Sequence, residues 1–134
     1  MIDIENEVFQ LIYDAVKAEY PEAIVRGEEI LEPSKFPCVS VVEASNYPLH
    51  SSQDSASYEH HVNVIYEIQV FTNKVKGRKT QAKDIFRICD DQFARKGFVR
   101  TMKHPVSLDD ATKYRIVGRY SAIVGENHTI YRRG

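Results

Sequence analysis

The stretch HHVNVIYEIQVFT, residues 60–72, is the strongest strand signal in the chain. Its apolar residues stand at every second position, at Val62, Val64, Tyr66, Ile68 and Val70. Because successive side chains of a strand point to opposite faces, this alternation predicts a strand with one buried face. A sheet centred on this stretch therefore decides the fold.

A second long strand is predicted at KYRIVGRYSAIV, residues 113–124. One face of this strand is apolar and aromatic, and we expect three of its side chains in the core: Tyr114, Ile116 and Tyr120. The other face carries Arg115 and Arg119. The pattern alone leaves open whether these two bases face water, a ligand or another protein.

Two helices are predicted, one before and one after the strand at residues 60–72 in the sequence. Residues 3–19 place apolar side chains at helical spacing, with Asp3 as a possible cap and Pro21 after the last turn. Residues 79–95 carry a second apolar stripe, which comprises Ala82, Ile85, Phe86, Cys89 and Phe93. Bases followed by Gly97 form a common helix end.

The remaining segments complete an α+β pattern. Shorter strands are predicted at residues 23–26, 29–32, 38–44, 98–103 and 128–133, and the last is expected to pair with residues 113–124. Residues 46–58 lack periodicity and contain many turn formers, so we expect a long mobile loop there. The order of the elements predicts a mainly antiparallel sheet with two helices packed on one face, in a single domain, 1–134.

The charge of the chain is unevenly distributed although its formal net charge is only −1. Residues 1–34 contain nine acidic and two basic residues, a net charge of −7, whereas residues 68–134 contain fifteen basic and six acidic residues, a net charge of +9. This asymmetry predicts either two solvated faces of opposite sign or a molecule whose unlike sides attract each other. From the sequence we expect neither a membrane span nor a secretory signal.

Motifs for catalysis are sparse. The aspartate pairs at residues 90–91 and 109–110 would suit a metal-dependent nuclease, but the first lies on a predicted helix and the second in a turn, where Asp is common. The two adjacent histidines, residues 60–61, point to opposite faces of a strand and cannot share one metal. Cys38 and Cys89 fall on apolar segments and are expected to be buried thiols.

The segment NKVKGRK, residues 73–79, begins a run of five bases without an acid: Lys74, Lys76, Arg78, Lys79 and Lys83. Several of them crowd the predicted start of the second helix, where the helix dipole disfavours cations. This local cost indicates another use for the charge, either on a nucleic-acid backbone or on an acidic protein surface; a solvated loop is the third possibility. No aromatic residue interleaves the bases, which argues against nucleic-acid readout.

Five segments follow one another in a characteristic order: YEIQVF (66–71), DIFRICDDQF (84–93), KGFVRT (96–101), LDDATKYRIVGRYSAIV (108–124) and IYRR (130–133). A short basic loop separates the first two. In this order and spacing, the chain from Cys38 onward resembles the tail terminator, or tail completion, proteins of long-tailed phages and prophages. Residues 1–37 match that family only as an amphipathic helix with following strands.

The resemblance implies a structural virion protein with no enzymatic activity and no cofactor. Subunits of this family form a ring, expected to be a hexamer, that caps the tail tube, ends its polymerisation and offers a docking surface to the head connector. The expected partners are therefore other copies of the chain, the tail tube protein and the head connector or stopper protein, with no membrane and no sequence-specific nucleic acid. The expected location is the head–tail junction of the virion, after assembly in the bacterial host cytoplasm.

On this interpretation, the acidic and basic halves meet between neighbouring copies through unlike surfaces. We expect the loop at 46–58 to order on docking. The candidate interface residues are Tyr47, Tyr58, Lys74, Lys76, Arg78, Lys79, Arg115, Arg119, Arg132 and Arg133. The alternatives are another head–tail joining or minor tail component, a nucleic-acid-binding accessory domain, and a small hydrolase or metal-dependent enzyme.

Overall fold

The computed structural model of the protein describes residues 1–49, 61–108 and 110–131. This part of the chain forms α1 (Glu5–Glu19), β1 (Ile24–Arg26), β2 (Cys38–Pro48), β3 (His61–Thr72), α2 (Arg78–Arg95), β4 (Val99–Pro105), β5 (Tyr114–Gly125) and β6 (Ile130–Tyr131). The strands lie in the order β1-β2-β3-β5-β4, and β6 pairs with β5. β1 runs parallel to β2, whereas the other pairings are antiparallel. The predicted α+β fold class is confirmed.

The long strands β3 and β5 form the centre of the sheet, and their register sets its two faces. Tyr66 lies opposite Tyr120, and both side chains point to the helices and are buried. Ile116 is buried on the same face, as the alternation predicted. Tyr114 is only half-buried and packs at the margin of the core, because it lies at the first position of β5.

α1 is held to the sheet by one apolar stripe. Val8, Ile12 and Val16 are buried, and burial of an aliphatic side chain of this size contributes about 1.5–3 kcal/mol. Ile4 occupies the N-cap position, so the predicted cap, Asp3, acts one residue earlier: its carboxylate accepts a 2.9 Å hydrogen bond from the amide of residue 5. The helix therefore begins two residues later than its periodicity suggested.

α2 lies over the centre of the same sheet face and packs through aromatic side chains. The rings of Phe93 and Tyr120 stack with their centroids 4.3 Å apart. Phe86 fills the space above Gly118, where a Cβ atom would lie only 2.5 Å from Phe86 Cζ. Both helices bury their stripes against this one face. The other face is covered at the end nearer the β1–β2 connection, where Ser40, Gln69, Phe71 and Val117 are buried, and is more exposed towards its other end.

Two buried phenols connect this core to carboxylates. Tyr120 Oη donates a 2.7 Å hydrogen bond to Asp90 Oδ1 on α2, and Tyr66 Oη donates a 3.3 Å hydrogen bond to Glu43 Oε1 on β2. Burial and the nearby carboxylates raise the pKa of both tyrosines. Burial also raises the pKa of the Glu43 carboxyl. The phenols therefore stay protonated and keep donating at neutral pH.

The connection from β1 to β2 corrects one prediction. Residues 29–32, predicted as a strand, form no strand. They lie in the connection that joins two parallel neighbours, where the Ser40 hydroxyl donates a 2.8 Å hydrogen bond to the carbonyl oxygen of Glu28. A four-residue segment with two adjacent apolar side chains, Ile30 and Leu31, was too short a signal for a strand. The segment instead forms part of the connection that two parallel strands require.

The strand β2 extends further than its sequence suggested. It continues to Pro48, because Asn46 pairs with Val64 and Tyr47 with Asn63 after a bulge. The predicted loop at 46–58 therefore begins later than expected. Its residues 50–58 lie outside the described residues.

Both long edges of the sheet carry features that limit further strand pairing. Along β2, the amide of Glu43 donates to Glu5 Oε2 at 3.3 Å, and the register shifts between Glu43 and Ser45. Along β4, the register shifts after Arg100, and the strand ends in Pro105. A bulge, a proline and a side chain that occupies an edge amide are recognised ways of blocking an edge.

Candidate protein-interaction surface

The sheet face opposite the helices, here called the open face, carries three of the predicted interface residues. It is formed by alternate side chains of β2, β3 and β5, among them Val42, Tyr47, Ile65, Glu67, Arg115, Arg119 and Ile123. Its aliphatic members Val42, Ile65 and Ile123 are half-buried, whereas Val117, on the same face, is buried. Half-exposed aliphatic residues beside arginine and tyrosine are typical of a surface that meets another protein.

Arg119 lies at the centre of the open face and is paired with Glu67 on the neighbouring strand. Arg119 Nε is 3.1 Å from Glu67 Oε1, and 46% of the arginine side chain is exposed, compared with 16% of the glutamate side chain. Gln69 Nε2 donates to the second carboxylate oxygen of Glu67 at 3.1 Å. The arginine is thus oriented but still accessible from outside the sheet.

Arg115 is more enclosed than the sequence suggested. Its guanidinium carbon lies 5.4 Å from the centre of the Phe71 ring, which pairs with it across the strands. A cation over an aromatic face is stabilised by the ring quadrupole. Within the described part of the chain, Arg115 Nε is buried and has no hydrogen-bond partner. Arg115 therefore belongs partly to the sheet and partly to the open surface.

Tyr47 lies on the open face near the far end of β2, and 47% of its surface is exposed. Its hydroxyl accepts a 2.9 Å hydrogen bond from Asn63 Nδ2, and Asn63 Oδ1 in turn accepts a 3.4 Å hydrogen bond from the Ser121 hydroxyl. This polar row fixes the phenol while its ring edge stays accessible. Tyr47, Arg115 and Arg119 thus share one face.

The basic loop between β3 and α2 does not belong to the open face but lies at one end of the sheet. Lys74, Lys76 and Lys79 are exposed, as is Val75 between them, at 87%. Arg78 plays an internal role instead: its guanidinium donates to the carbonyl oxygens of Lys74 and Val75 at 3.5 and 3.3 Å. The loop conformation is therefore held by one of its own bases.

The start of α2 lacks the usual stabilising features. Gly77 occupies the N-cap position with φ +83°, no side chain caps the first turn, and the first turn contains no acid. Cations at this end are unfavourable to the helix dipole by about 0.3–1 kcal/mol each at the surface. The exposed lysines of this loop, Lys74, Lys76 and Lys79, thus face outward at a helix end where positive charge is unfavourable.

Three of the predicted interface residues, Tyr58, Arg132 and Arg133, lie outside the described residues. In the ranges that the structure describes, no group of three or more His, Cys, Asp or Glu side chains is placed to hold a metal ion. Over the same ranges, neither helix has the length and apolar character needed to span a bilayer. Cys38 and Cys89 are buried free thiols, and burial raises the pKa of both.

Two features of the surface were missed from the sequence. Glu67 was not recognised as the partner of Arg119, because their pairing depends on a strand register that spacing does not reveal. Val75 was not singled out, although a lone aliphatic residue among lysines in NKVKGRK is visible in the sequence. The pairing of Arg119 with Glu67 could be found only from the tertiary structure. Val75, in contrast, could have been noticed in the sequence as an aliphatic residue that interrupts a run of bases.

No protein-family model matches the chain, and no curated protein matches it. One solved structure, known only by a sequence identifier, superposes with a TM-score of 0.55 at 11% identity, over 96% of this chain and 97% of that chain. This similarity shows that the fold is shared. The chain also has a distant structural similarity to the gp17 protein of bacteriophage SPP1, with a TM-score of 0.41 and 13% identity, over 87% of this chain and 89% of that chain.

Proposed function

We propose that the protein is a structural subunit of a long-tailed phage or prophage. Copies of the chain close into a ring, a hexamer in this proposal, that caps the tail tube, ends its polymerisation and offers a surface to the head connector. The protein acts at the head–tail junction of the virion and has no catalytic activity and no cofactor. The open face serves as a contact surface for a protein partner.

The segments that carry the sequence resemblance support this proposal through their positions. YEIQVF belongs to β3, DIFRICDDQF to α2, and the β5 segment holds Arg115 and Arg119 on the open face. They are consecutive parts of one sheet-and-helix unit rather than scattered surface matches. The order and spacing that define the resemblance therefore correspond to a coherent piece of the fold.

The observation on which the proposal mainly rests is that the first turns of the two helices, which lie at opposite ends of the sheet, carry unlike charges. The first turn of α1 contains Glu5 and Glu7. The first turn of α2 begins with Arg78 and Lys79 and contains no acid. Two unlike surfaces on one chain favour head-to-tail contacts, which form a closed ring when the rotation between neighbours closes.

The test combines solution mass with imaging. We expect sedimentation of the purified protein, alone and with its tail tube protein, to reveal a ring of defined mass, and electron microscopy to show that ring at one end of each tube. Tubes grown with the protein should be shorter than tubes grown without it. A chain that stays monomeric, does not bind tubes and leaves their length unchanged would contradict the proposal.

Nucleic-acid binding is the second candidate function, because Lys74, Lys76 and Lys79 are exposed together. Contacts to phosphates release counterions, so binding that depends on them weakens steeply with salt. Titration of a labelled duplex at several salt concentrations tests this alternative. A steep loss of affinity with salt that disappears in a triple Lys→Gln variant would favour it over a purely structural role.

A further inference from the structure

The basic loop between β3 and α2 exposes an aliphatic side chain. Val75 is 87% exposed and stands between Lys74 and Lys76, in a segment here called the Val75 tip (residues 74–76). The loop conformation is held by hydrogen bonds, because the Arg78 guanidinium donates to two of its carbonyl oxygens. An exposed aliphatic side chain on a loop of fixed conformation gains free energy when it is buried in an apolar groove of a partner.

The opposite end of the molecule contains such a cavity. A groove of about 260 Å³, here called the α1–β6 groove, lies between α1, the end of α2 with the residues that follow it, and β6. Its apolar lining includes Val8, Leu11, Phe93, Phe98 and Ile130, and its polar lining comprises Glu7, Gln10, Lys96 and His128. Leu11 and Ile130 are half-buried and form the accessible walls, whereas Val8, Phe93 and Phe98 form the buried floor. A groove with this lining suits an aliphatic side chain.

The two features cannot meet within one chain. The Val75 tip follows the end of β3 where Thr72 pairs with Tyr114, the first residue of β5. The groove adjoins the other end of β5, where β6 pairs with Val124. The 12 residues of β5 separate them. An apolar tip and an apolar groove on opposite ends of one molecule define a heterologous contact between copies.

The charges around the two features also favour a second copy as the occupant. The tip carries Lys74 and Lys76, and the α1 side of the groove carries Glu7, with Asp3 and Glu5 on the preceding turn. The remaining sides carry His128, whose Nδ1 is 2.5 Å from Glu7 Oε1, and the ammonium group of Lys96 at the end of α2. The lysines of the tip therefore fit on the α1 side, away from Lys96.

We propose that the Val75 tip of one copy inserts into the α1–β6 groove of the next copy, with Lys74 and Lys76 against the first turn of α1. This inference rests on the proposed ring, and it specifies the surfaces through which neighbours meet. It leaves the open face, with Arg115 and Arg119, available to the tail tube or the head connector.

The first experiment compares two substitutions at similarly exposed aliphatic residues. Val75→Asp should weaken self-association at least about tenfold, because it removes one aliphatic anchor and adds a like charge near Glu7. Leu31→Asp is the matched control, since Leu31 is 82% exposed on the β1–β2 connection, away from the groove. Sedimentation equilibrium of both variants and the wild type measures the difference. Equal self-association of all three would overturn the inference.

The second experiment detects the contact directly. A Val75→Cys, Leu11→Cys double variant should form covalent oligomers under mild oxidation, because each copy supplies one thiol to the neighbour on either side. Each single variant is a control and should yield no species larger than a dimer. The native thiols are buried. A double variant that forms no more large oligomers than the single variants would overturn the inference.

Failure of the inference and failure of the proposed function have different signatures. If rings form normally but neither the Val75→Asp substitution nor oxidation of the double variant affects them, the contact between the Val75 tip and the α1–β6 groove is wrong. The proposed ring is then still supported. If the cysteines join copies into open filaments rather than closed rings, the contact stands and the capping ring is wrong. Electron microscopy of the oxidised double variant separates these outcomes.

Discussion

Tyr120 donates a 2.7 Å hydrogen bond to Asp90 Oδ1, and this contact joins the middle of β5 to α2. The same oxygen of Asp90 accepts a second hydrogen bond from Arg100 at 3.1 Å. Because the Tyr120 ring is also stacked on Phe93, the phenol is fixed at both its face and its tip. The sheet and its helix layer are therefore held by directional contacts as well as by apolar packing.

Removal of the Tyr120 hydroxyl should weaken the attachment of α2 to β5. We expect Tyr120→Phe to lower the free energy of unfolding by about 1–2 kcal/mol, because a partly buried carboxylate loses one of its two donors. Urea denaturation measures the change. Tyr13→Phe is the control: Tyr13 is exposed on α1, so its change should stay within about 0.5 kcal/mol. Equal effects at both tyrosines would contradict the role given to Asp90.

A methyl group at Gly118 should be tolerated poorly. A Cβ there would lie 2.5 Å from Phe86 Cζ, so Gly118→Ala should cost about 1–3 kcal/mol through overpacking. Phe86→Leu should relieve part of that strain, so the double variant should be more stable than the sum of the single effects predicts. A double-mutant cycle from urea denaturation measures the coupling. Strict additivity would show that Phe86 is not the group that excludes the methyl.

Stability should decline in alkali partly through Tyr20. A 2.7 Å hydrogen bond to Asp84 and burial raise the pKa of Tyr20 from its ordinary value of 10.0 to about 12. Above pH 10 the unfolded chain loses this proton while the folded chain keeps it, so stability falls as the pH rises from 10 towards 12. Tyr20→Phe should reduce the steepness of the fall in thermal midpoint over that range.

The expected change in slope is partial. Tyr66 and Tyr120 also have raised pKa values, so they contribute to the same alkaline loss and remain in the variant. Below pH 10 the wild type and Tyr20→Phe should show parallel stability profiles. Identical slopes above pH 10 would mean that Asp84 does not hold the phenol proton.

Neither cysteine should react in the folded protein. Cys38 is 2% exposed and Cys89 is 0% exposed, and burial raises the pKa of both thiols, that of Cys89 to about 12. Because the thiolate is the reactive form, an aromatic disulfide reagent should label two thiols per chain in denaturant and almost none in native buffer. A Val75→Cys variant supplies an exposed thiol that should react at once. Rapid labelling of the wild type would contradict this burial.

Charge reversal on the open face should weaken partner binding without unfolding the chain. We expect an Arg115→Glu, Arg119→Glu variant to lose binding to the tail tube or the head connector, because both bases lie on the sheet face that the proposal assigns to a partner. Arg95→Glu, on the helix layer, is the matched control. Arg119→Gln tests the same site without placing a second negative charge beside Glu67. Unchanged binding in both open-face variants would contradict the assignment.

The strands and helices that the sequence predicted well are the long periodic ones. The alternating pattern around Tyr66 extends along the whole of β3, and the apolar stripe around Phe86 extends over several turns of α2. Many residues in each pattern therefore indicate the same buried face. The strand predicted at 29–32 was wrong because two adjacent apolar residues between glutamates are also compatible with a connecting segment. Length of the pattern, rather than its local composition, separated the two cases.

The candidate surface was predictable only in part. Arg115 and Arg119 were correctly placed on one face because alternation determines the face. That Arg115 lies over Phe71, whereas Arg119 pairs with Glu67, depends on which residues stand opposite in the neighbouring strand. Register is set by long-range packing and by bulges, and neither is visible in one strand's sequence.

The blocked edges of β2 and β4 have a consequence for a protein proposed to end a polymer. An accessible edge would act as a template on which further chains, including misfolded ones, could add without limit. Here Glu5 takes up an amide of β2, and Pro105 withholds one from β4. These features disfavour the addition of further strands to the sheet. The number of subunits in the proposed assembly would then depend on contacts between side-chain surfaces, each of which binds a limited number of partners.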